Sequence, residues 1–222
     1  GVPALVLGND IAGRATGIRW ESRVADVWDN DIHSGTVGIE VRSAVVGPDN
    51  PAPFGAAGGL EPNRVFSNET GVLVPESSAG AIVRHTEIHS NVTGVDASGD
   101  QTQLVANDIH SNEVGVRSSR VVGPGSWDIN LSNFIHDNLT GVEALPGAEV
   151  RFNRIYSTDD GIEVLGTADV HHNLIYRNTG SGLTIDSAVD VDVVHNTIYV
   201  PSGSGVHLKG AIDNAQIANT IV

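Results

Sequence analysis

Two pairs of residues in this chain are spaced for chemistry: Glu87 with His89, and Asp108 with His110. Each places a carboxylate and an imidazole on either side of one aliphatic residue, Ile88 or Ile109. If that aliphatic points inward on a strand, the acid and the ring both point outward on one face. Carboxylates and imidazoles grouped this way are ligands for a divalent cation such as calcium, although no cofactor is required. They are equally an acid and a base for work on a sugar, with His110 as the candidate catalytic member. Tyr156, Tyr176 and Tyr199 recur where His89, His110 and His136 stand, and with His136 they would offer a platform for sugar rings. The same residues have a second reading, in which stacked rings cover strand backbone while acids and histidines neutralise one another.

Both pairs lie inside a repeat. The string Asn-x-Ile-x-x-Asn-x-x-Gly-Val recurs, with its first Asn at Asn9, Asn30, Asn63, Asn107, Asn133, Asn153, Asn173, Asn196 and Asn219, and Thr86 in the one gap. A second polar column holds Asn68, Asn91, Asn112, Asn138, Asp159 and Asn178, and a glycine column runs from Gly17 to Gly205. Runs such as Gly161-Ile162-Glu163-Val164 alternate with period two and read as half-buried strands. Asn and Gly accept the left-handed backbone of tight corners. Asn side chains stacked coil on coil can also bond to one another. A period of about 21 residues with three short strands and no helical pattern predicts an all-β solenoid. Its form is a right-handed single-stranded parallel β-helix of about ten coils, each of roughly 20–23 residues, with 1–222 as one domain. Open coil ends are exposed sheet edges. The chain is therefore expected to be a piece of a longer protein, or to pack its ends on flanking domains or another protomer.

Charge and composition narrow the partners. There are 27 acidic residues against 12 basic ones, a formal net charge of −15, so nucleic acid is excluded by repulsion. The absence of cysteine removes disulfides and thiolate metal sites. No apolar run of about 18 residues is present to span a membrane. Two coils are longer than the rest, near 42–60 and 118–126, and both contain Val-Val-Gly-Pro, from Val45 to Pro48 and from Val121 to Pro124. Both should leave from one corner, ~15 Å apart, where such loops could wall a groove. His171, His172 and His195 form a smaller group. His172 and His195 share a column with Ala106, Ser132 and Phe152, which suggests partial burial. The outward series Asp96, Arg117, Glu143 alternates in sign and reads as cross-strand salt bridges.

Segments such as Val194-His195-Asn196-Thr197-Ile198-Tyr199 and Ala218-Asn219-Thr220-Ile221-Val222 resemble the parallel β-helix repeat superfamily, which includes the pectin-lyase-like folds. The resemblance covers nearly the whole chain. It implies a secreted or cell-surface location and a polysaccharide partner. The superfamily includes polysaccharide lyases, glycoside hydrolases, epimerases and phage tailspikes. Asp159-Asp160-Gly161-Ile162-Glu163-Val164 is similar to the double-Asp segment of polygalacturonase-type hydrolases, which makes Asp159 and Asp160 candidate catalytic carboxylates. The other positions of that set fall on Thr140, Ser181 and His207, and only Lys209 is retained. The Asp-Pro-His-Glu string of β-helical alginate epimerases is missing. The resulting expectation is an extracellular β-helix module that contacts carbohydrate and is not independently catalytic. The alternatives are a lyase or hydrolase acting on an acidic polysaccharide, and a structural spacer or adhesin stalk.

Overall fold

The computed structural model describes residues 4–21, 25–42, 45–46, 61–78, 80–99, 102–125, 128 and 130–221. One coil shows how the repeat folds. In Asp108–His110 the alternation of strand side chains buries Ile109 completely and leaves Asp108 and His110 half-exposed. The chain then turns into Val114–Ser118 and closes the coil with Val121–Val122. Repetition of that turn builds three parallel sheets. The first stacks nine strands from Asp10–Ala12 to Thr197–Tyr199, the second nine from Thr16–Trp20 to Ser204–Lys209, and the third eight from Val45–Val46 to Asp213–Ala218. Ala4–Leu7 and Ala25–Trp28 pair separately. The described chain therefore completes eight to nine turns, against about ten from the repeat count. The tenth is only begun, by a single bridge between Thr197 and Ile221.

The core is a set of vertical stacks. Ile88 pairs in register with Ile109, and Ile109 with Ile135, each fully buried. Burial of each such side chain contributes about 1.5–3 kcal/mol. Asparagines close the corners from within. Asn107, Asn133, Asn153 and Asn173 each donate Nδ2–H to the Oδ1 of the next coil's Asn at 2.8–3.1 Å. Asn68, Asn91 and Asn112 do the same at 3.0–3.1 Å. The same amides donate to buried main-chain carbonyls, as Asn112 does to Ile88 at 3.1 Å. Main-chain groups that the sheets leave unpaired at the corners are thereby satisfied.

The corner chemistry differs from the sequence expectation in two respects. In most coils the left-handed residue is the one before the Asn: Asp29, Ala106, Phe152, His172 and His195 in one corner, Ser67, Ser90, Ser111 and Asp137 in the other. Nor does Gly115 have a positive φ. A Cβ there would stand 2.6 Å from the carbonyl oxygen of Gly141 and 2.9 Å from Asn138 Nδ2, so glycine answers a close approach between coils. Two register assignments also shift by one residue. Thr158, not Asp159, fills the second polar column, and its hydroxyl donates to Asn178 Oδ1 at 2.9 Å. Thr220, not Asn219, accepts from the Asn196 main-chain N–H at 3.5 Å, while Asn219 takes the left-handed place. Polar residues on both sides of these positions make the slip invisible to pattern matching.

Val45–Val46 and Val121–Val122 are strands of the third sheet, with Ile82–Arg84 and Gln103–Val105 between them. The extra residues follow those strands. Residues 43–44 and 47–60 of the first insertion lie outside the described residues. In the second, the Gly123 N–H donates to Leu104 and the Pro124 carbonyl accepts from Arg151 Nε at 2.8 Å. Among the described residues no helix is long and apolar enough to cross a membrane.

Candidate functional site

The outer face of the first sheet carries one column of rings. His33, Phe66, His89, His110, His136, Tyr156 and Tyr176 stack in that order, with centroids 4.7–5.1 Å apart and planes within 15° of parallel. The cause is geometric: in-register parallel strands repeat at about 4.8 Å, close to the stacking distance of flat rings. Tyr199 follows Tyr176 in register and is 62 % exposed, more open than the half-buried rings before it. Stacking has a consequence for the expected platform. The faces of Tyr156 and Tyr176 cover one another, so these rings offer solvent their edges.

A second column, one aliphatic residue away, supplies charge. Asp10, Glu87 and Asp108 each serve the histidine of the following coil: His33 Nε2 lies 2.9 Å from Asp10, His110 Nε2 3.4 Å from Glu87, and His136 Nε2 2.9 Å from Asp108. The other ring nitrogens turn to the corner, where His33, His89 and His110 meet Ser34, Ser90 and Ser111 at 3.0–3.1 Å. His136 Nδ1 instead meets Asp137 at 2.7 Å. Burial works against a charged His136, but the carboxylates of Asp108 and Asp137 outweigh it and raise its pKa. Burial lowers the pKa of His89, and the neighbouring His110 adds to this. The hydrogen bond from His110 holds Glu87 below the usual carboxylate range, against the opposing effect of burial.

The fold thus puts Glu87 beside Asp108 and His89 beside His110 on adjacent coils. Their nitrogens are turned to carboxylates and serines. Among the described residues, no group of three or more His, Asp or Glu side chains is arranged to hold a metal ion. Asp159 and Asp160 stand elsewhere. Asp159 is exposed at a corner and accepts from Thr179 Oγ1 at 2.6 Å. Asp160 lies in the second sheet, in register with Thr140, and accepts from the Ser181 N–H at 2.9 Å. His110 lies two rungs earlier on the first sheet, so it does not join them in one site.

A shallow groove that the sequence reading missed runs beside the ring column. It is lined by Ser90, Ser111, Asp137, Glu69 and Glu113, with Val92 and Leu139 on its rim, 47 % and 58 % exposed. Its serines look like ordinary turn residues in sequence, and only the left-handed corners align them. On the second sheet, Arg117 Nε meets Glu143 at 2.6 Å, while burial raises the Asp96 pKa in spite of Arg117 nearby. His172 and His195 are exposed, not partly buried, although Ala106 in the same column is buried.

Comparison with known proteins agrees with this architecture. The family described as right handed beta helix region matches residues 55–222. No curated protein sequence matches the chain. Among solved structures, the A-module of the Azotobacter vinelandii mannuronan C-5 epimerase AlgE6 is similar, with a TM-score of 0.62 at 12% identity. The match covers 90% of this chain and 64% of that one. At this identity the likeness establishes the fold alone, and the chain spans just under two thirds of the length of that module.

Proposed function

We propose, for a chain that belongs to the right handed beta helix family, that its first sheet is a carbohydrate-contacting face and that the module is not independently catalytic. The observation that carries this is the continuous ring column, from His33 through Tyr176 to the open Tyr199, with the serine-lined groove alongside. Rings locked by stacking lose little freedom when a ligand arrives. The nitrogens of His33, His110 and His136 are already bonded to carboxylates and serines, so the polar edges offered to a ligand are the phenolic hydroxyls of Tyr156 and Tyr176, and Tyr199 presents apolar ring surface to sugar C–H groups. A linear glycan laid along the solenoid axis would meet His136, Tyr156, Tyr176 and Tyr199 in turn. The similar solved structure is named for a carbohydrate, mannuronan, which supports the ligand class. Its activity is not carried over, since this sequence has no Asp-Pro-His-Glu string. In this reading the module works outside the cell or at its surface, and a cation at Glu87, His89, Asp108 and His110 is not needed for binding.

A glycan array followed by calorimetry tests the proposal. Binding of a polysaccharide that weakens about tenfold in Tyr199→Ala, in line with loss of an aromatic contact worth about 1.4 kcal/mol, is the expected result. Binding to no glycan would leave the spacer role. Release of new reducing ends or unsaturated uronates would make the module an enzyme.

A further inference from the structure

We propose that His171 and His172 chelate one divalent transition-metal ion of tetragonal preference, copper(II) or nickel(II). The pair sits where the strand Ala168–His171 leaves the third sheet for the first. His171 Nε2 lies 3.0 Å from Glu149 Oε1. A carboxylate in that place takes the ring proton at Nε2 and leaves the lone pair on Nδ1, the arrangement that supports metal-bound histidines. Glu149 is itself fixed. It is paired with Arg151, whose Nε donates to the Pro124 carbonyl at 2.8 Å, so the second insertion steadies the acid.

Nδ1 of His171 faces Nδ1 of His172 at 3.0 Å. Two ring nitrogens meeting head to head need a proton or a cation between them. Consecutive strand residues would point to opposite faces, but the left-handed backbone of His172, φ 58°, swings its ring toward His171, and the planes meet at 84°. Phe152 and His195, on the coils either side, each stand 5.0 Å from the His172 ring and hold it in place.

The spacing suits a right-angled site better than a tetrahedral one. With metal–nitrogen bonds of about 2.0–2.1 Å, nitrogens 3.0 Å apart subtend about 95° at the ion. That is close to the right angle of a tetragonal copper(II) or nickel(II) site. A tetrahedral zinc ion would require the nitrogens to spread to about 3.4 Å. Calcium prefers oxygen ligands. Among the described residues no third His, Asp or Glu completes the group, so the remaining positions on the ion are left to water or an anionic ligand. This site stands apart from the ring column and does not depend on the carbohydrate reading.

The test is titration of the folded chain with copper(II), nickel(II) and zinc(II) salts by calorimetry, with electron paramagnetic resonance for copper. Expected are one copper(II) per chain with two nitrogen donors, and nickel(II) bound more tightly than zinc(II). Binding should weaken at least tenfold in His171→Ala and in His172→Asn, whose side chain suits the left-handed backbone. Glu149→Gln should weaken it about 10–100-fold, and His89→Ala should leave it unchanged. The proposal is overturned if folded His171→Ala and His172→Asn titrate like the parent, or if His89→Ala removes the site instead.

Discussion

Removing one asparagine from the corner stack should destabilise the solenoid far more than its single side chain suggests. In Asn112→Ala the main-chain N–H of Asn91 loses its bond to Asn112 Oδ1, 2.9 Å long, and is left buried. Ile88 loses the 3.1 Å bond to its carbonyl. Three further contacts disappear, with Asn91 Nδ2, Asn138 Oδ1 and the His110 carbonyl, but all three groups keep other partners. One orphaned buried donor costs about 1–3 kcal/mol, and each lost bond about 1 kcal/mol, so the sum is about 3–5 kcal/mol. Against a typical stability of about 5–15 kcal/mol this is a large fraction. Asn112→Thr should cost less, about 1–2 kcal/mol. Thr86 already shows threonine in a corner stack, its hydroxyl donating to the Arg84 carbonyl at 3.0 Å. Denaturant unfolding gives the difference, and hydrogen exchange at the Asn91 amide localises it, because solenoids can open one region at a time. An Ala variant within 1 kcal/mol of the parent, with the Asn91 amide still protected, would refute the reasoning.

Two other perturbations follow from the same geometry. Gly115→Ala should cost about 1–3 kcal/mol by calorimetric melting, at the upper end because the obstructing Gly141 carbonyl is main chain and cannot swing away; an unchanged melting temperature would contradict the close approach. Acid should weaken the fold through His85, whose pKa is pushed down to about 4 by burial and then by Arg84. The unfolded chain takes up this proton near pH 6.5 and the folded one does not, so up to about 3 kcal/mol is lost as pH falls from about 6.5 to about 4. His136 works in the opposite sense: its raised pKa gives stability that is present below about pH 6.5 and lost as pH rises through the folded value. His85→Asn, at a left-handed position that suits Asn, should flatten the acid limb of a pH–stability curve; an unaltered limb would remove His85 as its cause.

The vertical stacks were legible from the sequence because burial imposes them: only β-branched or aliphatic residues fit where Ile88, Ile109 and Ile135 lie. The outward columns were legible for the same reason, since period two fixes their side. Hidden instead was whatever depends on one-residue precision in the corners. Asp159 and Thr158 are both polar, and only the bond from Thr158 to Asn178 decides which one enters the stack. The ring column was visible as a list of His, Phe and Tyr, but its stacking, which turns faces into edges, is set by the distance between coils. The pairing of His171 with His172 depends on a positive φ that sequence spacing does not reveal.

A crystal structure of the chain with a bound oligosaccharide is the decisive experiment for the carbohydrate face. Sugar rings should lie along the first sheet, one packed on Tyr199 and others meeting the edges of Tyr176, Tyr156 and His136, in line with the groove that continues past Asp137 to Ser111 and Ser90. Sugar seated over the second sheet at Arg117 and Glu143, with the ring column bare, would contradict the assignment.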